Sequence, residues 1–192
     1  MASLVTRPVQ EWRREAGGTS YLITTSSERI DFEFVNEAFA TEEMFWAKRL
    51  PLEDLETMIS NSLTLSVYAV SPKSPSASTV SSPSSPRTPS PSLEDKEDLE
   101  QIGLSRFATD FVTFAYLSDV YIKPEHRGRG LSTWLIECCH EVIESFPHLR
   151  RALLFATPGA KAEFYKKKLG MSDIAEDKDH IVCMTRQFYG PE

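Results

Sequence analysis

Cysteine is scarce in this chain. Cys138, Cys139 and Cys183 are the only three in 192 residues, an odd count with no C-x-x-C pair. That argues against a disulfide framework and for a reducing compartment, the cytoplasm or nucleus. The four histidines, His126, His140, His148 and His180, have no ligand spacing with cysteine or with one another, so no metal site is expected. No stretch of about 18 consecutive apolar residues occurs. The opening MASLVTRPVQEWRREAGG lacks a long apolar core and already carries acids, so neither secretion nor a membrane span is expected. Positive charge is also in deficit: 21 Lys and Arg against 28 Asp and Glu give a net charge of −7. This argues against a nucleic-acid surface and favours the approach of cationic or amine-bearing molecules.

What the chain does hold is enough for one well-buried domain over residues 1–192, with 41% apolar and 10% aromatic residues. One segment interrupts it. Residues 71–92 carry ten serines and six prolines, and an acidic run continues to Glu100. Such a stretch cannot bury enough apolar surface to offset the entropy of ordering, so 71–100 reads as a disordered insertion within the domain. Its six Ser/Thr-Pro steps read either as proline-directed phosphorylation sites or as a plain solvated spacer.

Periodicity places a strand at Tyr21–Thr25, helices at Asp31–Lys48 and Leu52–Asn61 broken at Pro51, and a strand at Leu63–Val70. After the insertion, Gly103–Thr109 and Phe114–Ile122 form a hairpin turning at Asp110. From Leu131 the apolar residues fall at Trp134, Leu135, Cys138, Val142, Ile143 and Phe146, the stripe of an amphipathic helix stopped by Pro147. A strand at Ala152–Ala156, a helix at Ala160–Leu169 ended by Gly170, and a strand at His180–Thr185 follow. The order β-α-α-β, insertion, β-β-α-β-α-β predicts a mixed α/β sheet with helices on both faces.

The most informative junction is the one between the strand ending at Ile122 and the helix beginning near Leu131. Arg127, Gly128, Arg129 and Gly130 stand there, where the first backbone N–H groups of a helix lack partners and its dipole is positive. Donors, charge and close backbone approach make an anion cradle, suited to a phosphorylated cofactor. It is not a dinucleotide fingerprint, because the third glycine position is Thr133, and no G-K-[ST] follows to make a P-loop.

Arg127-Gly128-Arg129-Gly130-Leu131-Ser132 resembles the pyrophosphate-binding motif of the GNAT N-acetyltransferases, Arg or Gln, two variable residues, Gly, one variable, Gly or Ala, with Ser132 as the departure. The segment PGAKAEFYKKKLGM is similar to that family's tyrosine-bearing helix, with Tyr165 as the match. The resemblance implies the acyl-CoA N-acyltransferase fold and an enzyme that moves an acetyl group from acetyl-CoA, its co-substrate, to a primary amine by direct transfer, with no metal. Cofactor contacts are then implied at Val120, Tyr121, Ile122, the loop Arg127, Gly128, Arg129, Gly130, Leu131 and Ser132, and at Thr157 beside the position of a family asparagine. Tyr165 is implied as the acid that protonates the CoA thiolate, its phenol remaining protonated at neutral pH.

A base for the ammonium is sought among Tyr116, Ser118 and Asp119 on the strand. Asp119, the only carboxylate of that run, reads equally as a structural group bonded to backbone or to an arginine. Phe45 and Trp46 are similar to an aromatic pair that lines the family's acceptor site, and Ser118 joins them as a substrate-binding candidate. Aromatics at helical spacing more often belong to a core, which is the competing reading. Lys166, Lys167 and Lys168 complement a helix dipole or reach a CoA phosphate. The absence of a second recognition domain favours a small-molecule amine over a peptide. A peptide or protein acetyltransferase and an acyl-CoA-binding regulatory module without turnover are the alternatives.

Overall fold

The computed structural model describes residues 8–72, 97–176 and 183–185. Two compact units are distinguished, one running to Phe155 and one beginning at Ala156.

The first unit opens with a hairpin. Strands β1 (Glu11–Ala16) and β2 (Thr19–Thr24) pair antiparallel across Gly17 and Gly18. Both glycines have positive φ, 60° and 77°, the two-residue turn whose twist matches that of paired strands. Helix α1 (Phe32–Phe39) begins where Asp31 accepts hydrogen bonds from the backbone N–H of Glu33 and Phe34, a side-chain cap for otherwise orphaned donors. A single 3-10 turn, Glu42–Met44, separates it from α2 (Leu52–Ser60), which starts after Pro51.

Strands β3 (Ser62–Pro72), β4 (Glu97–Thr109) and β5 (Phe114–Ile122) follow, then α3 (Leu131–Glu144) and β6 (Arg151–Leu154). The six strands lie in the order β1-β2-β3-β4-β5-β6, all neighbours antiparallel except the parallel pair β5–β6. The β4–β5 turn is held by Asp110, whose carboxylate accepts from the backbone N–H groups of Val112, Thr113 and Phe114.

Helices cover both faces of this sheet. On one, Phe34, Val35, Phe39, Met44, Leu55 and Ile59 of the α1–α2 region pack with Leu104 and Tyr121. Adjacent strand residues point to opposite faces, and on the other face Ser105 Oγ lies 3.2 Å from Cys139 Sγ of α3. The stripe Leu131, Trp134, Leu135, Cys138, Val142 and Ile143 is buried as the periodicity predicts. In the second unit, α4 (Ala160–Leu169) runs from Gly159 to a left-handed C-cap at Gly170.

The mixed α/β class therefore stands, with differences in detail. The strand β1 was not expected. The helix expected over Asp31–Lys48 stops at Phe39, after which Thr41 returns its hydroxyl to the Ala38 carbonyl. The insertion read as 71–100 is shorter at both edges: Ser71 and Pro72 pair with Asp98 and Glu97 in the β3–β4 ladder. Its acids have cationic partners, Glu97 with Arg13 and Glu100 with Lys123, so this part of the run is not left as unpaired repelling charge. Residues 73–96 lie outside the described residues. Of the strand expected at His180–Thr185, residues 183–185 have no regular structure and the rest lies outside the described residues.

Candidate active site

The site is built on the way β5 leaves its neighbour. Phe114–Leu117 pair with Arg151–Leu154 of β6, and β5 then continues to Ile122 with no strand on that side among the described residues. An extended strand with an open edge offers alternating N–H and C=O groups to an extended ligand. At the same place β5 carries a bulge. Arg106 pairs with Ser118 and Leu104 with Tyr121, so Asp119 and Val120 together oppose Ser105. Asp119 takes a positive φ of 54°, a conformation that only a well-determined surrounding maintains in a non-glycine residue.

That surrounding is polar. Asp119 is 4% exposed, and its carboxylate accepts from Arg106 Nε at 2.6 Å, Ser118 Oγ at 2.9 Å and Trp46 Nε1 at 3.3 Å. The structural reading of Asp119, bonded to an arginine, is the one its contacts describe. Trp46 and Phe45 meet edge to face at 5.0 Å and are 51% and 76% exposed. The core reading of this pair is thereby corrected. Met44, 1% exposed, is the residue of the segment that enters the core, because the chain has left helical spacing. Tyr116 is half-buried and packs edge to face on Phe155.

Beyond Ile122 a 3-10 turn, Pro124–His126, leads to Arg127. Gly128 and Gly130 have φ of 76° and 74°, and Gly130 is the left-handed N-cap of α3 with no side chain capping the helix. First-turn N–H groups left without a side-chain acceptor, next to two glycines, form an anion cradle that fits a diphosphate. The arginines of the motif are engaged elsewhere. Arg127 forms a bidentate pair with Glu43 at 2.7 Å, donates from Nε to the Ile122 carbonyl at 2.9 Å and lies 5.7 Å over the Tyr121 ring. Its hydrogen bonds to the Glu43 carboxylate hold the Arg127 guanidinium above its ordinary pKa. Arg129 donates to the Tyr21 hydroxyl, which also meets His126 Nδ1 at 3.2 Å.

Glu43 and Trp46 thus clip one exposed segment to the β5 end at two points. Sequence reasoning missed Glu43, Arg106 and the β1 half of the hairpin Glu11–Thr24. Only the hairpin had a signal, the Gly17-Gly18 pair followed by the alternation of a strand.

On the α1 face lies a cavity of about 420 Å³ whose lining includes Phe34, Glu37, Tyr121, Lys123, Glu125 and His126, with Glu100 at its side. Lys123 Nζ sits 5.4 Å from the Phe34 ring and 3.0 Å from Glu100, so the cavity already seats an ammonium group. Within the second unit, Tyr165 is half-buried and packs on Phe164 at 5.4 Å. Lys166 pairs with Glu163 and Glu176, while Thr157 is exposed ahead of α4.

Residues 93–170 match the acetyltransferase (GNAT) domain. A curated protein of Gibberella zeae, named as a candidate acetyltransferase, is 34% identical over 172 residues, 90% of this chain and 88% of its own length. A crystal structure from Xanthomonas campestris, ascribed to the GNAT family, is similar with a TM-score of 0.58 at 23% identity, covering 88% of this chain and 93% of the other. A Clostridium acetobutylicum structure described as an acetyltransferase with acetyl-CoA has a TM-score of 0.46 at 12% identity, covering 88% and 93% of the two chains. The chain belongs to the GNAT family and is an acetyl-CoA-dependent acetyltransferase.

Proposed function

We propose that the chain is an N-acetyltransferase that carries the acetyl group of acetyl-CoA directly to a primary amine, and that the amine belongs to a small molecule. The observation that carries this reading is the open edge of β5 beyond Leu117 beside an uncapped, glycine-flanked helix start. In this reading the backbone of Val120, Tyr121 and Ile122 pairs with the pantetheine arm, and an N–H of that strand polarises the thioester carbonyl as negative charge develops on it. The loop Arg127–Ser132 holds the diphosphate through backbone N–H groups. Thr157 completes the cofactor contacts.

Phe45 and Trp46 form the acceptor wall, with Ser118 beside them. The amine enters neutral, its nitrogen bonds to the acetyl carbon, and the carbon–sulfur bond breaks. Tyr165 gives its phenolic proton to the sulfur, and the proton lost by the nitrogen restores the phenol, so the balance closes on an amide and a thiol. With both oxygens of Asp119 occupied, that carboxylate positions Trp46 and Ser118, and the earlier step that turns an arriving ammonium into the neutral amine falls to Tyr116 or Ser118, which pass its proton through water to solvent. The net charge of −7 favours the approach of a cationic acceptor. Free thiols at all three cysteines suit the reducing cytoplasm or nucleus.

The test is release of free CoA thiol from acetyl-CoA over a panel of small primary amines and short peptides. Small amines are expected to support turnover, and Tyr165→Phe to lower it about a hundredfold or more while leaving acetyl-CoA affinity near the wild-type value. Turnover with peptides alone contradicts the small-molecule reading, and unchanged turnover in Tyr165→Phe removes that residue from the acid role.

A further inference from the structure

Three arginines gather at the glycine turn, and two of them are spoken for. Arg127 is committed to Glu43 and the Ile122 carbonyl, and Arg129 to the Tyr21 hydroxyl. The third comes from a strand that no motif singles out. Arg14 lies on the edge strand β1, is exposed, and makes no ion pair or side-chain hydrogen bond among the described residues. Its Nη2 nonetheless stands 4.0 Å from the point a Cβ on Gly130 would occupy. Strand alternation gives an independent reason for that direction. Trp12, two residues earlier and on the same face, donates from Nε1 to Glu141 of α3 at 2.7 Å, whereas Arg13 on the opposite face pairs with Glu97. The Trp12–Arg14 face of β1 is the one turned to α3, and Arg14 ends at the start of that helix.

We propose that Arg14 is a phosphate-binding residue of the acetyl-CoA site, supplying from β1 a further guanidinium beside the glycine turn. The proposal rests on the reading of Arg127–Ser132 as the diphosphate cradle. A planar guanidinium takes two phosphate oxygens at once, and Arg14 gives up no existing partner to do so. The ordering is economical: backbone N–H groups and the helix dipole fix the anion's place, and a side chain from the sheet edge closes on it from beside Gly130. The diphosphate and the 3′-phosphate of CoA share the chemistry Arg14 recognises.

Titration calorimetry of the full-length protein with acetyl-CoA and with dephospho-acetyl-CoA, at low and at raised ionic strength, tests this on the wild type, Arg14→Ala, Arg14→Gln and Gly128→Val. Loss of a charge-assisted bond is expected to weaken acetyl-CoA binding about tenfold in both Arg14 variants at low salt, with the difference shrinking as salt rises. The salt dependence is a readout that mere loss of packing would not move. A loss that persists with dephospho-acetyl-CoA assigns Arg14 to the diphosphate, and one that disappears assigns it to the 3′-phosphate; either supports the proposal. Wild-type affinity in both Arg14 variants alongside lost affinity in Gly128→Val overturns the proposal and leaves the cradle standing. Wild-type affinity in all three variants overturns the cradle as well.

Discussion

Cys138 and Cys139 sit on the buried stripe of α3, and burial pushes both thiols up to about 12. Neither is a thiolate at neutral pH, so neither serves as a nucleophile despite the adjacent His140. The native protein treated with iodoacetamide at pH 8 is expected to lose one thiol, the exposed Cys183, and all three only after denaturation; mass spectrometry showing modification of Cys138 or Cys139 in the folded protein contradicts this. Single residues are also where sequence reading met its limit. Gly128 and Gly130 were legible because glycines between a strand and the start of an amphipathic helix allow close backbone approach to an anion, and both take the left-handed conformation. Arg127 was legible as a position but not in its contacts, since nothing along the chain places Glu43 beside it. Asp119 was visible as the lone carboxylate of its strand, whereas Arg106, the cation that occupies it, lies across a bulge that no spacing reveals.

Among the elements, β5 is fixed by a contact that allows no extra atom. A Cβ on Gly103 of β4 would lie 2.4 Å from Ile122 Cδ1 and 2.8 Å from the Tyr121 carbonyl, with backbone as the second obstacle. Overpacking of this kind costs about 1–3 kcal/mol, and Gly103→Ala is expected to lower the melting temperature by roughly 3–10 °C for a chain of this size. An unchanged melting temperature contradicts the packing described. The helices and the β4–β5 hairpin were legible because long apolar stripes and turn residues are local signals. The break after Phe39 was not, because Met44 is drawn into the core by residues of α1 and α2 rather than by its own neighbours. That break is what leaves Phe45 and Trp46 exposed beside the bulge.

At the scale of the whole molecule, the β3–β4 ladder reaches up to the two edges of the insertion. Pro72 and Glu97 face each other across the β3–β4 ladder, at the distance a tight turn spans. Replacing residues 73–96 by a short Asn-Gly turn is therefore expected to leave the melting temperature and acetyl-CoA binding near wild type. A protein that no longer folds or binds would show that the segment packs on the domain. The composition of the segment announced an interruption, but its true edges depended on pairing partners for Glu97 and Glu100 that lie far along the chain, Arg13 and Lys123. The central claim is that acetyl-CoA lies along the open edge of β5 with its diphosphate on the start of α3. Backbone amide chemical shifts followed by NMR during an acetyl-CoA titration test it without altering the protein. The largest shifts are predicted at Val120–Ile122 and Gly128–Ser132; shifts centred instead on the cavity around Phe34 and Glu37, with the glycine turn unmoved, would contradict it.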